Sequence, residues 1–244
     1  MVKIFNKKIN VLDKDRIKKN LALFEDGLSH SKDDGRKPWA RYASFDYCFN
    51  YFQEFKNKKE LTSKENMQNS CLHLAFYLAS WGMLRGSSFL LQKSINFYKP
   101  LIEYISEKDD DFWKIDVPNY MENNNIDTLI KCADDIKNIL SEDGNNDASD
   151  ILVTKIMLGV FGCVPAFDTY FKNGSRLGSF NKRTLTEISE FYRKDGHSNI
   201  ISNEANKIKT FEYNSGKTGS RSYTNAKVID MIFFMEGYKN NTDL

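Results

Sequence analysis

Apolar residues recur along the chain at steps of three and four over most of its length, the period of helices that bury one face. A first helix is predicted from about Asp13 to Gly27, with Ile17, Leu21, Phe24 and Leu28 on one side. Asp33, Asp34 and Gly35 read as a loop. Pro38 then suits the first turn of a second helix carrying Trp39, Tyr42, Phe45, Phe49 and Phe52, with Tyr47, Tyr51 and Phe55 widening the stripe. The third helix follows a capping-box pattern, Thr62 with Glu65, and sets Met67, Cys71, Leu74, Leu78 and Trp81 in line. Leu72, Ala75, Phe76 and Ala79 make it apolar on more than one side, which predicts deep burial. Gly82 and Gly86 end or bend it. A further helix is expected from Ser87 or Ser88 through Phe97, with Pro100 starting a new turn.

The rest of the chain continues the pattern. Residues 109–125 read as irregular, with Asp109-Asp110-Asp111 and Asn123-Asn124-Asn125. A helix carries Ile126, Leu129, Ala133, Ile136 and Leu140. Asp143-Gly144-Asn145-Asn146 is a turn, and Asp147 or Ser149 caps a helix with Ile151, Leu152, Ile156 and Val160. Two more helices are expected near 182–194 and 223–238, separated by a polar stretch. No internal repeat and no strong strand stands out. The class is all-α, with about nine or ten helices in one domain over 1–244, in two lobes of about 1–125 and 126–244 if a cleft divides it.

Composition agrees with a folded helical chain. Of 244 residues, 41% are hydrophobic and 28% charged, and only 13 are Gly and 4 Pro, too few for a turn-rich β fold. The N-terminus lacks the apolar stretch of a signal peptide, and the longest strongly apolar run, Met231 to Met235, is far too short to span a bilayer. Cys48, Cys71, Cys132 and Cys163 have no paired spacing, and the histidines are only His30, His73 and His197, so no metal site is expected. A cytoplasmic protein with reduced thiols and no membrane contact follows. The net charge of +2 gives no overall signal for nucleic acid, but the charge is unevenly spread. Residues 101–150 hold 14 acidic and 4 basic residues; 169–227 hold 11 basic and 5 acidic. That second block makes either a local anion-binding face or a plain solvated surface.

The segment from Val153 to Tyr170 carries the sharpest candidate chemistry. A helix ends at Gly162, and Pro165 presets a short helical turn that presents Asp168 among Phe167, Tyr170 and Phe171. A carboxylate there is either a helix cap or a chemical group, and its pKa should rise unless a cation or backbone donors hold it. Phe161-Gly162, Pro165-Ala166-Phe167 and Asp168-Thr169 stand in the order of the helix-hairpin-helix DNA glycosylase superfamily, the endonuclease III and adenine glycosylase type, and Arg176-Leu177-Gly178 continues the likeness. The segment from about 140 to 178 resembles that superfamily. The resemblance implies a nucleic-acid-binding protein in which Asp168 stabilises the positive charge developing on a sugar as a flipped base departs. Arg85, Gly86, Ser87, Arg176, Lys182 and Arg183 would then hold the phosphates of DNA. The hairpin shows Gly144 alone instead of Gly-x-Gly, no lysine stands where the lyase members carry theirs, and no cysteine cluster could hold an iron–sulfur centre, so no cofactor is expected.

Other features admit two readings each. Arg85-Gly86-Ser87-Ser88 is an anion-holding nest or an ordinary helix-to-helix turn. Ser215-Gly216-Lys217-Thr218-Gly219-Ser220-Arg221 lacks the glycine a P-loop requires, since that place is Phe211, and is a plain mobile loop or a flexible basic one that touches phosphate. His73 is a core histidine before it is a catalytic one. Asp46, between Phe45 and Tyr47, is expected to be hydrogen-bonded to a neighbouring Tyr, Trp or Arg. The aromatic stripe of 39–55 is core, although exposed rings stack on bases. The alternative to nucleic-acid binding is a non-enzymatic helical protein that acts through a protein partner or as a homo-oligomer.

Overall fold

The computed structural model describes residues 8–26, 35–56, 60–141 and 148–242, with residues 240–242 by backbone alone. Leu28, His30, Asp33, Asp34 and the 143–147 turn lie outside the described residues. Within them the fold is all-α: ten α-helices, α1 (Lys14–Glu25), α2 (Ala43–Glu54), α3 (Met67–Ser80), α4 (Lys99–Ser106), α5 (Asn125–Leu140), α6 (Asp150–Phe161), α7 (Thr169–Ser175), α8 (Lys182–Arg193), α9 (His197–Lys207) and α10 (Asn225–Thr242), with a single hairpin of β1 (Lys209–Phe211) and β2 (Thr218–Ser222). No helix among them is long and apolar enough to cross a membrane.

Two helices form the centre because they are apolar all round. Leu152 to Phe161 of α6 and Val228 to Met235 of α10 are buried without a break, apart from polar Thr154, Lys155 and Asp230, which are buried too. α10 packs against α1, α7 and α9. Its approach to α7 is close enough that a Cβ on Gly237 would run into the Tyr170 carbonyl, and one on Gly174 into that of Phe233. α2 and α3 pack against α6 on the other side.

Several boundaries follow the sequence. Asp13 caps α1 by accepting from Arg16 N at 2.7 Å, Ser149 caps α6, and Pro100 sits in the first turn of α4. α6 stops where Gly162 takes a φ of +67° and its N–H reaches back to the carbonyls of Met157 and Leu158, a close seen when a residue without Cβ enters the left-handed region.

Other expectations are corrected. α2 starts at Ala43, not at Pro38; residues 38–42 are turns, and Trp39 stands 81% exposed. The Thr62–Glu65 capping box does not form, because residues 61–66 are turns and α3 begins only at Met67, with Ser63 Oγ accepting from Asn66 N instead. α3 is not buried on every side: Leu72 and Phe76 are exposed. The helix expected from Ser87 is two short 3-10 turns, Phe89–Gln92 and Ile95–Tyr98. Pro165 lies in an extended linker, and the helix starts after Asp168. The polar stretch before α10 hides α9 and the hairpin.

Candidate functional site

α2 presents two faces. Phe45, Phe49 and Phe52 enter the core, while Tyr47, Asn50, Tyr51 and Glu54, spaced i, i+3, i+4, i+7, line up along one flank, half-buried over the first three and exposed at Glu54. The β-hairpin is fastened beside this flank by buried polar groups of the same helix. Asn50 Nδ2 donates to the Phe211 carbonyl at 3.0 Å, and Thr210 Oγ1 donates to Asn50 Oδ1 at 2.8 Å. Asp46, one turn earlier and fully buried, accepts from Phe211 N at 3.0 Å, from Tyr223 Oη at 2.6 Å and from the Arg36 guanidinium at 2.5 Å. The expectation that Asp46 meets a Tyr or Arg is thus met by both.

The hairpin register is irregular. Lys209 pairs with Ser222 and Phe211 with Thr218, so Thr210 alone faces the segment 219–221. Such a bulge re-aims side chains at a strand edge, and here Gly219, Ser220 and Arg221 turn toward α2. Together the α2 flank, His73 of α3 and the hairpin enclose an open cleft of about 360 Å³. The rings are arranged in pairs. Tyr51 stacks on His73 at 4.1 Å between centroids and 18° between planes; Tyr47 meets Tyr213 edge-on at 5.7 Å. Tyr213 is 82% exposed, so its ring is open to a ligand.

Arg221 is half-buried, and among the described residues its guanidinium finds no hydrogen-bond acceptor and no ion pair; burial pulls its pKa down, with Glu54 acting the other way. Glu54 is exposed at the rim of the cleft, with no hydrogen bond or ion pair among the described residues. Burial also lowers the pKa of His73 below the ordinary 6.5, which keeps the ring neutral at pH 7. The hydroxyls of Tyr47 and Tyr51 are engaged, Tyr47 with the Pro38 carbonyl and Tyr51 with Ser70 and the Asn66 carbonyl. The groups left for recognition include one guanidinium, Arg221, two carboxylates, Glu54 and Glu212, and the faces of the rings.

No protein-family model, curated protein or solved structure matches this chain.

The residues expected from the glycosylase resemblance stand elsewhere. Asp168 caps α7: Oδ1 accepts from Phe171 N at 3.0 Å, and Oδ2 pairs with Lys155 Nζ at 3.2 Å, both side chains nearly buried. A backbone donor and a cation thus both contact the carboxylate. Lys155 and Lys227 lie over the Trp81 ring, and Lys227 pairs with Asp230 at 2.8 Å, so Asp168 belongs to a buried polar cluster and does not line the aromatic cleft. Arg176 closes the other end of α7 with φ +65°, about 12 Å from Asp168 at 1.5 Å per residue. Lys182 pairs with Asp127 at 2.6 Å and Arg183 with Glu187 at 2.9 Å, on the exposed start of α8. Arg85, Gly86 and Ser87 are exposed, and Arg85 lies against Gly82. The hydroxyl that caps the following turn is that of Ser88, and a four-residue 3-10 turn has little dipole to offer an anion. None of these six lines the aromatic cleft; Arg183 borders a separate groove of about 780 Å³ between residues 8–11 and α8.

Parts of the cleft were visible in the sequence singly: Tyr47 and Tyr51 as widening the core stripe, His73 as a core histidine, and the loop through Arg221 as a basic loop. Glu54 and Tyr213 were missed. The signal for Glu54 was the polar step within the α2 pattern, Asn50 and Glu54 in register with Tyr47 and Tyr51. A cleft of about 730 Å³ beside α5 gathers Glu107, Asp109, Asp111, Glu122 and Asp135, but no group of described residues is set to hold a metal ion.

Proposed function

We propose that this protein binds nucleic acid, and that the cleft between α2 and the hairpin takes up a nucleotide of a single strand. The observation that carries the reading is Arg221: a half-buried guanidinium with no acceptor, beside aromatic rings. A guanidinium partly withdrawn from water and without an acceptor is free to bind a phosphate through charge-assisted bonds. The rings offer the sequence-tolerant stacking that holds unpaired bases, and a duplex keeps those faces covered. The hairpin strands and their turn add Lys209 and Lys217 to Arg221 against the single acid Glu212.

The test is fluorescence anisotropy with labelled single-stranded DNA, single-stranded RNA and duplex DNA over a salt series. Single strands bind more tightly than duplex, and affinity falls with salt. Arg221→Ala weakens binding about tenfold or more, the worth of a hydrogen bond to a charged group, and lowers the salt slope by about one. Absence of binding at low salt, or unchanged affinity in Arg221→Ala, refutes the reading. Four buried free cysteines accord with a reducing, cytoplasmic setting.

A second reading, a protein partner or self-association, draws on α3. Leu72 and Phe76, one turn apart on its outer side, are 42% and 68% exposed, an apolar pair of the kind interfaces cover.

A further inference from the structure

We infer that the aromatic cleft selects guanine, with Glu54 accepting from its base edge while Arg221 holds the phosphate. The inference rests on the nucleotide-binding reading above and names the base. The two charged groups share one cleft, yet no ion pair joins them among the described residues. A ligand that engages both carries an anion and, apart from it, hydrogen-bond donors. A carboxylate accepts only. Of the four common bases, guanine alone places two adjacent donors, N1–H and N2–H, on one edge, matched to the two oxygens of a carboxylate. Adenine and cytosine pair one amino donor with a ring acceptor that would face the second oxygen. Uracil flanks its single N–H with two carbonyls.

Glu54 is the better placed of the two acids in the cleft. It stands on the last turn of α2, in line with Tyr47, Asn50 and Tyr51, on a helix whose other face is locked in the core. A reading group on a rigid element keeps its geometry. Both acids are exposed, but Glu212 stands on the hairpin with Ser215 Oγ at 3.5 Å, whereas Glu54 has no hydrogen bond among the described residues. The Tyr51–His73 stack and the open ring of Tyr213 supply the flat surface for a purine.

The experiment is calorimetric titration of the full chain with the 5′-monophosphates of guanosine, inosine, adenosine, cytidine and uridine. Inosine keeps N1–H and lacks the N2 amino group, so it removes one donor and nothing else. Guanosine monophosphate binds about tenfold more tightly than the inosine and uridine compounds, in the range of one bidentate base contact. Glu54→Gln brings the guanosine and inosine affinities within about twofold, because an amide cannot accept at both atoms; Glu212→Gln leaves the ratio unchanged. Arg221→Ala weakens all five by a similar factor. Equal affinity of the wild type for guanosine, inosine and uridine compounds overturns the inference while leaving nucleotide binding standing. So does a guanosine preference that survives Glu54→Gln or vanishes in Glu212→Gln. Failure of all five to bind, together with failure of single strands, removes the nucleotide reading and the inference with it.

Discussion

Removing the Asp46 carboxylate should unfasten the wall of the cleft. Asp46 is fully buried and takes three donors: Arg36, Tyr223 Oη and Phe211 N. Asp46→Ala leaves the Arg36 guanidinium, its side chain 9% exposed, without its counter-charge, and Arg36 Nε already lacks a partner. Breaking one half of a buried pair costs about 3–5 kcal/mol, most of it from the stranded charge. The orphaned Phe211 N–H works in the same direction. Urea unfolding followed by circular dichroism should show the midpoint falling at unchanged slope, with a melting temperature lower by about 10 °C for a chain of this size. The ion-pair part is isolated by a cycle with Arg36→Met. Because that variant removes the charge that Asp46→Ala strands, the double variant should be more stable than the sum of the singles by about 2 kcal/mol. A loss below about 1 kcal/mol in Asp46→Ala, or additivity within about 0.5 kcal/mol, would show that the pair does not hold the hairpin.

Two further outcomes are expected. Glu236 accepts from Arg16 at 2.7 Å and from Asn20 at 2.9 Å; although burial pushes its carboxyl up, these partners hold it below the ordinary 4.5. A carboxylate depressed in the folded state stabilises above the unfolded value and loses that contribution as pH falls through the folded one. Glu236→Gln should therefore be less stable than wild type at pH 7 by about 1.5–3 kcal/mol, with the gap closing below pH 4.5; a gap independent of pH in thermal melts would contradict the assignment. For α3, if Leu72 and Phe76 form an interface, sedimentation velocity should show a concentration-dependent dimer that Phe76→Glu abolishes, and a monomer at every concentration would dismiss that surface.

The helices were legible where burial has a single period. α1 and α6 start or end at residues whose chemistry is local: Asp13, Ser149 and Gly162. Legibility failed where tertiary contacts override a local signal. Pro38 and the Thr62–Glu65 pair are good helix starts by type, yet residues 38–42 and 61–66 turn to bring α2 and α3 against α6. The hairpin was invisible because its strands are three and five residues long and alternate poorly; their pairing depends on Asn50 and Asp46, about 160 residues away in the chain. For the same reason the cleft had no single motif. Its walls come from three distant segments, and only the α2 stripe of Tyr47, Asn50, Tyr51 and Glu54 carries a local pattern.

The same physics explains why an acid among aromatics is a poor guide to chemistry in this chain. Asp46, Asp116, Asp168, Glu187 and Asp230 each accept from a backbone N–H: those of Phe211, of Asn225 and Ala226, of Phe171, of Ile9 and of Ala166. Four of the five join segments more than 60 residues apart, and the fifth, Asp168, seals the start of α7. A buried N–H must find an acceptor, and a carboxylate accepts from several donors at once. In a fold with many helix starts and few strands, acids beside aromatic residues are the natural fasteners, and Asp168 does this work at the start of α7 while neutralising Lys155. A binding site is marked by the opposite condition. Its charges are held by the fold but left unpaired, so that a ligand gains the hydrogen bonds that the protein withholds. Arg221 and Glu54 meet that condition in one cleft, and Asp168, with both oxygens occupied, does not.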